Sequence, residues 1–140
     1  MNSSSTVSAE VGLRLVVPDR TTVPLLATLE YAADDPYAIR VAFHVGDDDP
    51  VEWIFARELL TVGVVRRVGD GDVQVWPADE VGDGGALNLS LSSPFGTAHF
   101  EAPLTPLTDF LNRTYEIVAA GRESDFIDIE AELDDLLWHS

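Results

Sequence analysis

The chain contains no cysteine and no lysine, and only one methionine. Without cysteine there is no disulfide, no thiolate metal site and no sulfur nucleophile. Without lysine the glycines around Gly82-Asp83-Gly84-Gly85 cannot belong to a phosphate-cradling loop of the P-loop kind, and their acidic neighbours oppose phosphate besides. Positive charge is scarce. Eight arginines face 25 acids, for a formal charge of -17. A surface of that sign repels phosphate backbones and anionic membrane leaflets, and it favours a basic partner. It also fits an acidic proteome that prefers arginine. Long apolar runs are missing too. Met1 to Thr6 is polar, carries no basic residue and precedes no apolar stretch, so it reads neither as a signal peptide nor as a membrane span. Without an export signal, the glycosylation sequon Asn112-Arg113-Thr114 is read as chance.

What is present is a core. Of 140 residues 46% are hydrophobic, and the mean hydropathy is +0.07. A chain of this length buries about two-thirds of its extended surface on folding, which makes one domain without a metal or disulfide. We expect a disordered tail over residues 1–6 and a single domain over 7–140. Val7, Ala9, Val11, Leu13, Leu15 and Val17 alternate with polar residues, the period of a half-buried strand. Pro18-Asp19-Arg20 turns the chain, and Val23 to Tyr31 alternates again as an antiparallel neighbour. A third strand has Tyr37, Ile39, Val41, Phe43 and Val45 on its inward side, with Arg40 and His44 opposite. Val51, Trp53 and Phe55 read as a short fourth strand, running into a short helix near Leu60.

A second strand group follows. Val64 to Val68 reads as a strand, Gly69 to Gly71 as a tight turn and Val73 to Trp76 as the hairpin partner. Leu87, Leu89 and Leu91 alternate in the next strand, and Thr97 to Glu101 forms the last. Thr105 reads as a helix cap with Pro106 in the first helical position. Leu107, Phe110, Leu111, Thr114 and Val118 then make one helical stripe, ending near Gly121. A second helix is expected from Asp125, with Phe126, Ile129 and Leu133 on one side and acids on the other. The fold class is therefore α+β: antiparallel strands in two units, packed with C-terminal helices. The two groups have the form of a divergent repeat, although direct self-similarity is absent.

No catalytic constellation is visible. His44, His99 and His139 are far apart and share no metal-ligand spacing, so neither a metal nor a cofactor is expected. Asp70-Gly71-Asp72 opens like a calcium loop, but Trp76 and Pro77 stand where oxygen ligands must follow, so it is a hairpin turn. No nucleophile elbow surrounds Ser90, Ser92 or Ser93, and no carboxylate pair stands out among so many acids. Arg14, Arg40, Arg66 and Arg67 with Trp76 could form a single-stranded nucleic-acid platform, but the charge opposes it. Protein contact fits better, because aromatic and arginine residues dominate interface centres. The candidate interaction or assembly residues are Trp53, Phe55, Arg57, Trp76 and Arg113. Arg57 and Arg113 read equally well as solvent-exposed helix residues.

Several blocks in order resemble one family. They are Leu13-Arg14-Leu15-Val16-Val17, Asp35-Pro36-Tyr37-Ala38, Val51-Glu52-Trp53-Ile54-Phe55-Ala56-Arg57 and Gly71-Asp72-Val73-Gln74-Val75-Trp76-Pro77. Leu89-Ser90-Leu91-Ser92-Ser93-Pro94, Phe100-Glu101-Ala102-Pro103 and Phe110-Leu111-Asn112-Arg113-Thr114 complete the set. Over almost its whole length the chain resembles the SsgA-like proteins of sporulating actinomycetes. That resemblance implies a Whirly-like fold, akin to mitochondrial guide-RNA-binding proteins, and a non-enzymatic role in sporulation-specific cell division. The implied role is a positional marker in the cytoplasm at future septum sites. It recruits the tubulin-like division GTPase FtsZ, works with an SsgA-like paralogue and forms homo-oligomers, trimers among them. Nucleic acid and membrane insertion are not expected.

Overall fold

The computed structural model describes residues 5–19, 21–47, 49–78, 85–94 and 96–126. In chain order they form β1 (Thr6–Val16), β2 (Thr22–Ala32), β3 (Ala38–His44), β4 (Val51–Ala56) and helix α1 (Arg57–Gly63). Then come β5 (Val68–Asp70), β6 (Val73–Pro77), β7 (Ala86–Ser93), β8 (Gly96–Pro103), helix α2 (Leu104–Ile117) and a 3-10 turn at Glu123–Phe126. Four strands and a helix thus occur twice. The expected second helix lies mostly outside the described residues, as do residues 1–4 and most of the loop from Asp79. The expected tail over residues 1–6 overlaps the fold at its end: β1 already starts at Thr6, and the Ser5 carbonyl accepts a hydrogen bond from the Ala33 N–H at 2.9 Å.

All eight strands join one antiparallel sheet, in the order β4-β3-β2-β1-β8-β7-β6-β5. Each unit is a meander, and β1 meets β8 where the two units abut. Phe43 of β3 and Phe100 of β8 stack with ring centroids 4.8 Å apart, although β2 and β1 separate their strands in the sheet. The sheet must therefore curl so that its inner face closes on itself. The alternating residues line that face: Val11 and Leu13, Ala27 and Leu29, Val41 and Phe43, Leu87 and Leu89 are all buried. Each fully buried large apolar side chain contributes roughly 1.5–3 kcal/mol relative to exposure. The alternation fails only at strand ends. Val23, Tyr37 and Val45 are about half exposed, at 48%, 52% and 50%, because the curl carries those ends beyond the core.

The helices interlock the units. α1 closes the first unit but packs mainly on β5 and β6 of the second, while α2 closes the second and packs on β1 of the first. The expected strand over Val64–Val68 is displaced by α1. The helix runs on to Gly63, turns through Val64–Arg66, and leaves a strand of only Val68–Asp70. Gly63 makes this possible, because a Cβ there would collide with the Val75 side chain on β6. The hairpin between β5 and β6 turns at Gly71, whose φ of +64° suits glycine.

α2 begins at Leu104, one residue before the cap expected at Thr105. No side chain caps it. Instead the Leu104 N–H donates to the Gly85 carbonyl at 3.1 Å, from a glycine held at φ +79°. Pro106 falls in the first turn, where its missing N–H leaves no helix bond unmade. The predicted stripe is the buried one: Leu107, Phe110, Leu111 and Thr114, followed by Val118 just beyond the helix.

Candidate functional site

The strand ends remote from the helices leave the curled sheet open. Leu15 and Leu25, Phe43 and Val45, Val51 and Trp53, Leu91, and Gly96, Thr97, Ala98 and Phe100 on β8 line a cleft of about 390 Å³ at that end, with Ser93 at its rim. Among the described residues the lining is apolar and carries no ionisable side chain. Its hydroxyls are engaged locally: Thr97 Oγ1 lies 3.2 Å from Ser92 Oγ, and Ser93 Oγ donates to the Gly96 carbonyl at 3.4 Å. Such a lining can accept apolar side chains. Trp53 stands half-buried on one lip, its ring 6.1 Å from that of Phe55 and nearly parallel to it.

At the opposite end a second constellation holds the helices together. Arg57, the first residue of α1, is 1% exposed. Its Nη1 donates to the carbonyls of Thr114 at 3.2 Å and Val118 at 2.8 Å, and its Nη2 donates to Glu123 Oε2 at 2.8 Å. The guanidinium lies 3.9 Å from the Tyr115 ring centroid and 5.0 Å from that of Tyr31. The Thr114 carbonyl also accepts the Val118 N–H at 3.0 Å, so Arg57 is a second donor there. Carbonyls at a helix C-terminus carry partial negative charge, and a cation beside them caps α2. The hydrogen bond from Arg57 holds the Glu123 carboxyl below its usual range. Burial pushes the Tyr31 phenol up to about 12, against the pull of Arg57, and its hydroxyl donates to the Pro36 carbonyl at 2.9 Å. Thr61 and Tyr115 hydroxyls pair at 2.7 Å beside this node.

The outer face of the second unit carries a third feature. Registers Arg14↔Glu101, Asn88↔Glu101 and Trp76↔Asn88 set four side chains in one row across the strands. Arg67 lies over Trp76 at 4.4 Å, and the His99 ring centroid is 5.4 Å from that of Trp76, tilted by 33°. His99 Nε2 and Asn88 Oδ1 are 2.8 Å apart, so Nε2 donates. The arginines do not gather as a nucleic-acid platform requires: Arg40 is on β3 in the other unit, directly opposite Glu30.

The five candidate residues therefore separate. Trp53 borders the cleft, Trp76 sits on the outer face, and Arg113 is exposed, 3.5 Å from the Ser8 carbonyl. Phe55 and Arg57 are interior, at 2% and 1% exposure. The exposed-helix reading of Arg57 is corrected, because the end of α2 draws its guanidinium inside. His44, expected to face solvent, is half-buried and its Nε2 lies 2.8 Å from Thr28 Oγ1. Sequence reasoning missed Tyr31, Tyr115 and Glu123 as partners of Arg57. No local signal marks them, since they converge only when the helices dock. Among the described residues no group of three His, Asp or Glu side chains is placed to hold a metal ion, and no helix is long and apolar enough to cross a membrane.

An open-ended curled antiparallel sheet with two interlocking helices defines an α+β fold. Comparison with known proteins shows its family. Residues 25–123 match the family model described as "Streptomyces sporulation and cell division protein, SsgA". The chain is 63% identical over 134 residues to the sporulation-specific cell division protein SsgB of Thermobifida fusca, covering 95% of this chain and 96% of that protein. It is 44% identical to SsgB of Streptomyces coelicolor over 137 residues, 98% and 99% of the two chains. The crystal structure of an SsgA-like sporulation-specific cell division protein from Thermobifida fusca superposes with a TM-score of 0.86 at 60% identity, covering 96% of this chain and 98% of that one. A structure of Streptomyces coelicolor SsgB gives 0.85 at 44% identity, covering 90% and 98%. The chain belongs to the SsgA family of sporulation and cell-division proteins.

Proposed function

We propose that the protein is a non-enzymatic positional marker for sporulation-specific division, recruiting the tubulin-like GTPase FtsZ to future septum sites from the cytoplasm. The observation that carries this reading is its near full-length similarity to SsgB proteins called sporulation-specific cell division proteins. The cleft supports it: an apolar, uncharged opening of about 390 Å³ suits side chains of a partner protein rather than chemistry on a substrate. Assembly with an SsgA-like paralogue and into homo-oligomers such as trimers belongs to the same reading. Several weak faces on one oligomer raise apparent affinity by local concentration. The -17 charge restricts encounters to partners with matching basic surface.

A second reading, single-stranded nucleic-acid binding on a Whirly-like fold, is favoured by the doubled strand-and-helix unit and the Arg67–Trp76 stack. It is opposed by the charge. Purified protein is mixed with FtsZ and, separately, with single-stranded DNA at physiological salt. Saturable binding to FtsZ, weakened by Trp53→Ala, is the expected outcome. No FtsZ binding, with or without the paralogue, together with salt-dependent DNA binding, transfers the case to the second reading.

A further inference from the structure

Among the described residues strands β4 and β5 end the sheet, and the two edges differ. β5 has three residues, too few to template another strand. β4 has six, and Val51, Glu52, Ile54 and Ala56 are all exposed, Ile54 at 64% and Val51 at 51%. In an antiparallel pair every second residue turns its N–H and C=O away from the neighbour, so β4 presents a row of backbone donors and acceptors beyond its bonds to β3. Proteins protect such edges with lysine, proline, inward charges or bulges. Within Val51–Ala56 there is no basic residue and no proline, only Glu52.

The edge also borders the apolar cleft. Val51 and Trp53 form one lip, with Leu91 and Gly96 of the second unit among the residues lining the rest. A strand laid against β4 would direct alternate side chains over that opening and the others outward. We propose that β4 is a strand-addition site, taking an extended segment of another protein as a ninth strand. Only a polypeptide backbone matches donors and acceptors at the strand repeat of about 3.3 Å, which sets aside lipids and nucleic acids. Charge defines the segment further. Asp47, Asp49 and Glu52 flank the edge, and no arginine or lysine occurs from Val41 to Ala56. The occupant therefore alternates apolar residues with basic ones. The proposal rests on the reading of the protein as a recruiter of other proteins, and it does not depend on which partner is recruited.

The test uses the full chain and a short synthetic peptide alternating valine with lysine and threonine, beside an analogue N-methylated on the amides of one edge. Binding is followed by fluorescence anisotropy, and hydrogen exchange locates the peptide. The parent peptide is expected to bind and slow exchange at Val51–Ala56. N-methylation is expected to weaken it about tenfold or more, because it removes backbone donors and keeps every side chain. Ile54→Lys, at an exposed position the fold tolerates, should weaken it by a similar factor and leave the melting temperature in place. Several results overturn the proposal. They are no binding at about millimolar peptide, equal binding of the methylated analogue, or protection elsewhere than β4. Protection of β4 that grows with protein concentration alone would assign the edge to a second copy and equally overturn it. Peptide seated on β4 by a protein that ignores FtsZ would remove FtsZ as partner and leave the strand site standing.

Discussion

Exchanging Arg57 for methionine tests the interlock between the helices most directly. The substitution keeps an apolar stem and removes the guanidinium. The buried Val118 carbonyl then loses its donor, which costs about 1–3 kcal/mol, whereas the Thr114 carbonyl keeps the Val118 N–H at 3.0 Å. The stacking of the cation between Tyr31 and Tyr115 adds about 1 kcal/mol. Glu123 contributes less, because its side chain is 18% exposed and water recovers part of the lost pair. The sum is about 2–4 kcal/mol, overlapping the lower part of the range for breaking a buried ion pair from one side. In a domain of this size that lowers the melting temperature by about 6–12 °C. Urea titration followed by circular dichroism measures it, and an unchanged slope with denaturant shows that the native state, not the unfolded one, was altered. Arg57→Lys keeps the charge and loses the planar fork, so it should fall between. A loss below about 1 kcal/mol for Arg57→Met would refute the argument, since a capping arginine this deeply buried has no inexpensive replacement.

Two further outcomes follow from the same geometry. The folded-state pKa of Glu123 is depressed, so its contribution is fully present above the ordinary value of 4.5 and is lost as pH falls through the lower folded value. Acid titration of stability should therefore flatten below 4.5 in Glu123→Gln relative to the parent, whereas identical acid limbs would remove Glu123 from the node. Gly63→Ala gains about 1 kcal/mol of helix propensity but forces a methyl group into Val75, which costs about 1–3 kcal/mol. Thermal unfolding should show a net loss, opposite to the usual gain from replacing a helical glycine. A more stable variant would mean that α1 and β6 can part without penalty.

Much of the architecture was legible because its signals are local. Alternation at Val7 to Leu15, Val23 to Tyr31 and Leu87 to Leu91 is a property of neighbouring residues, and the buried faces follow it. The α2 stripe was legible for the same reason. Val64–Val68 misled because a run of β-branched residues favours a strand, while Gly63 and the pocket beside Val75 favour a longer helix, and that pocket is made by β6. The cleft was only half legible: Trp53 was marked as an anchor, but its companions on β7 and β8 are remote in sequence. Arg57 was named for the wrong reason. An arginine opening a helix looks solvated until another helix ends above it.

Composition and periodicity by themselves determined an acidic α+β chain without thiol chemistry, and most of the interior residues along β1, β2, β3 and β7. These depend on residue type and on contacts a few positions apart, which any folded form of the chain must respect. The curl of the sheet, the crossing of α1 and α2 between units, the burial of Arg57 and the opening beside β4 were decided only by tertiary structure. They arise where segments separated by 50 or more residues, such as Arg57 and Val118 at a separation of 61, compete for the same space. Sequence proximity carries no information about the outcome of that competition.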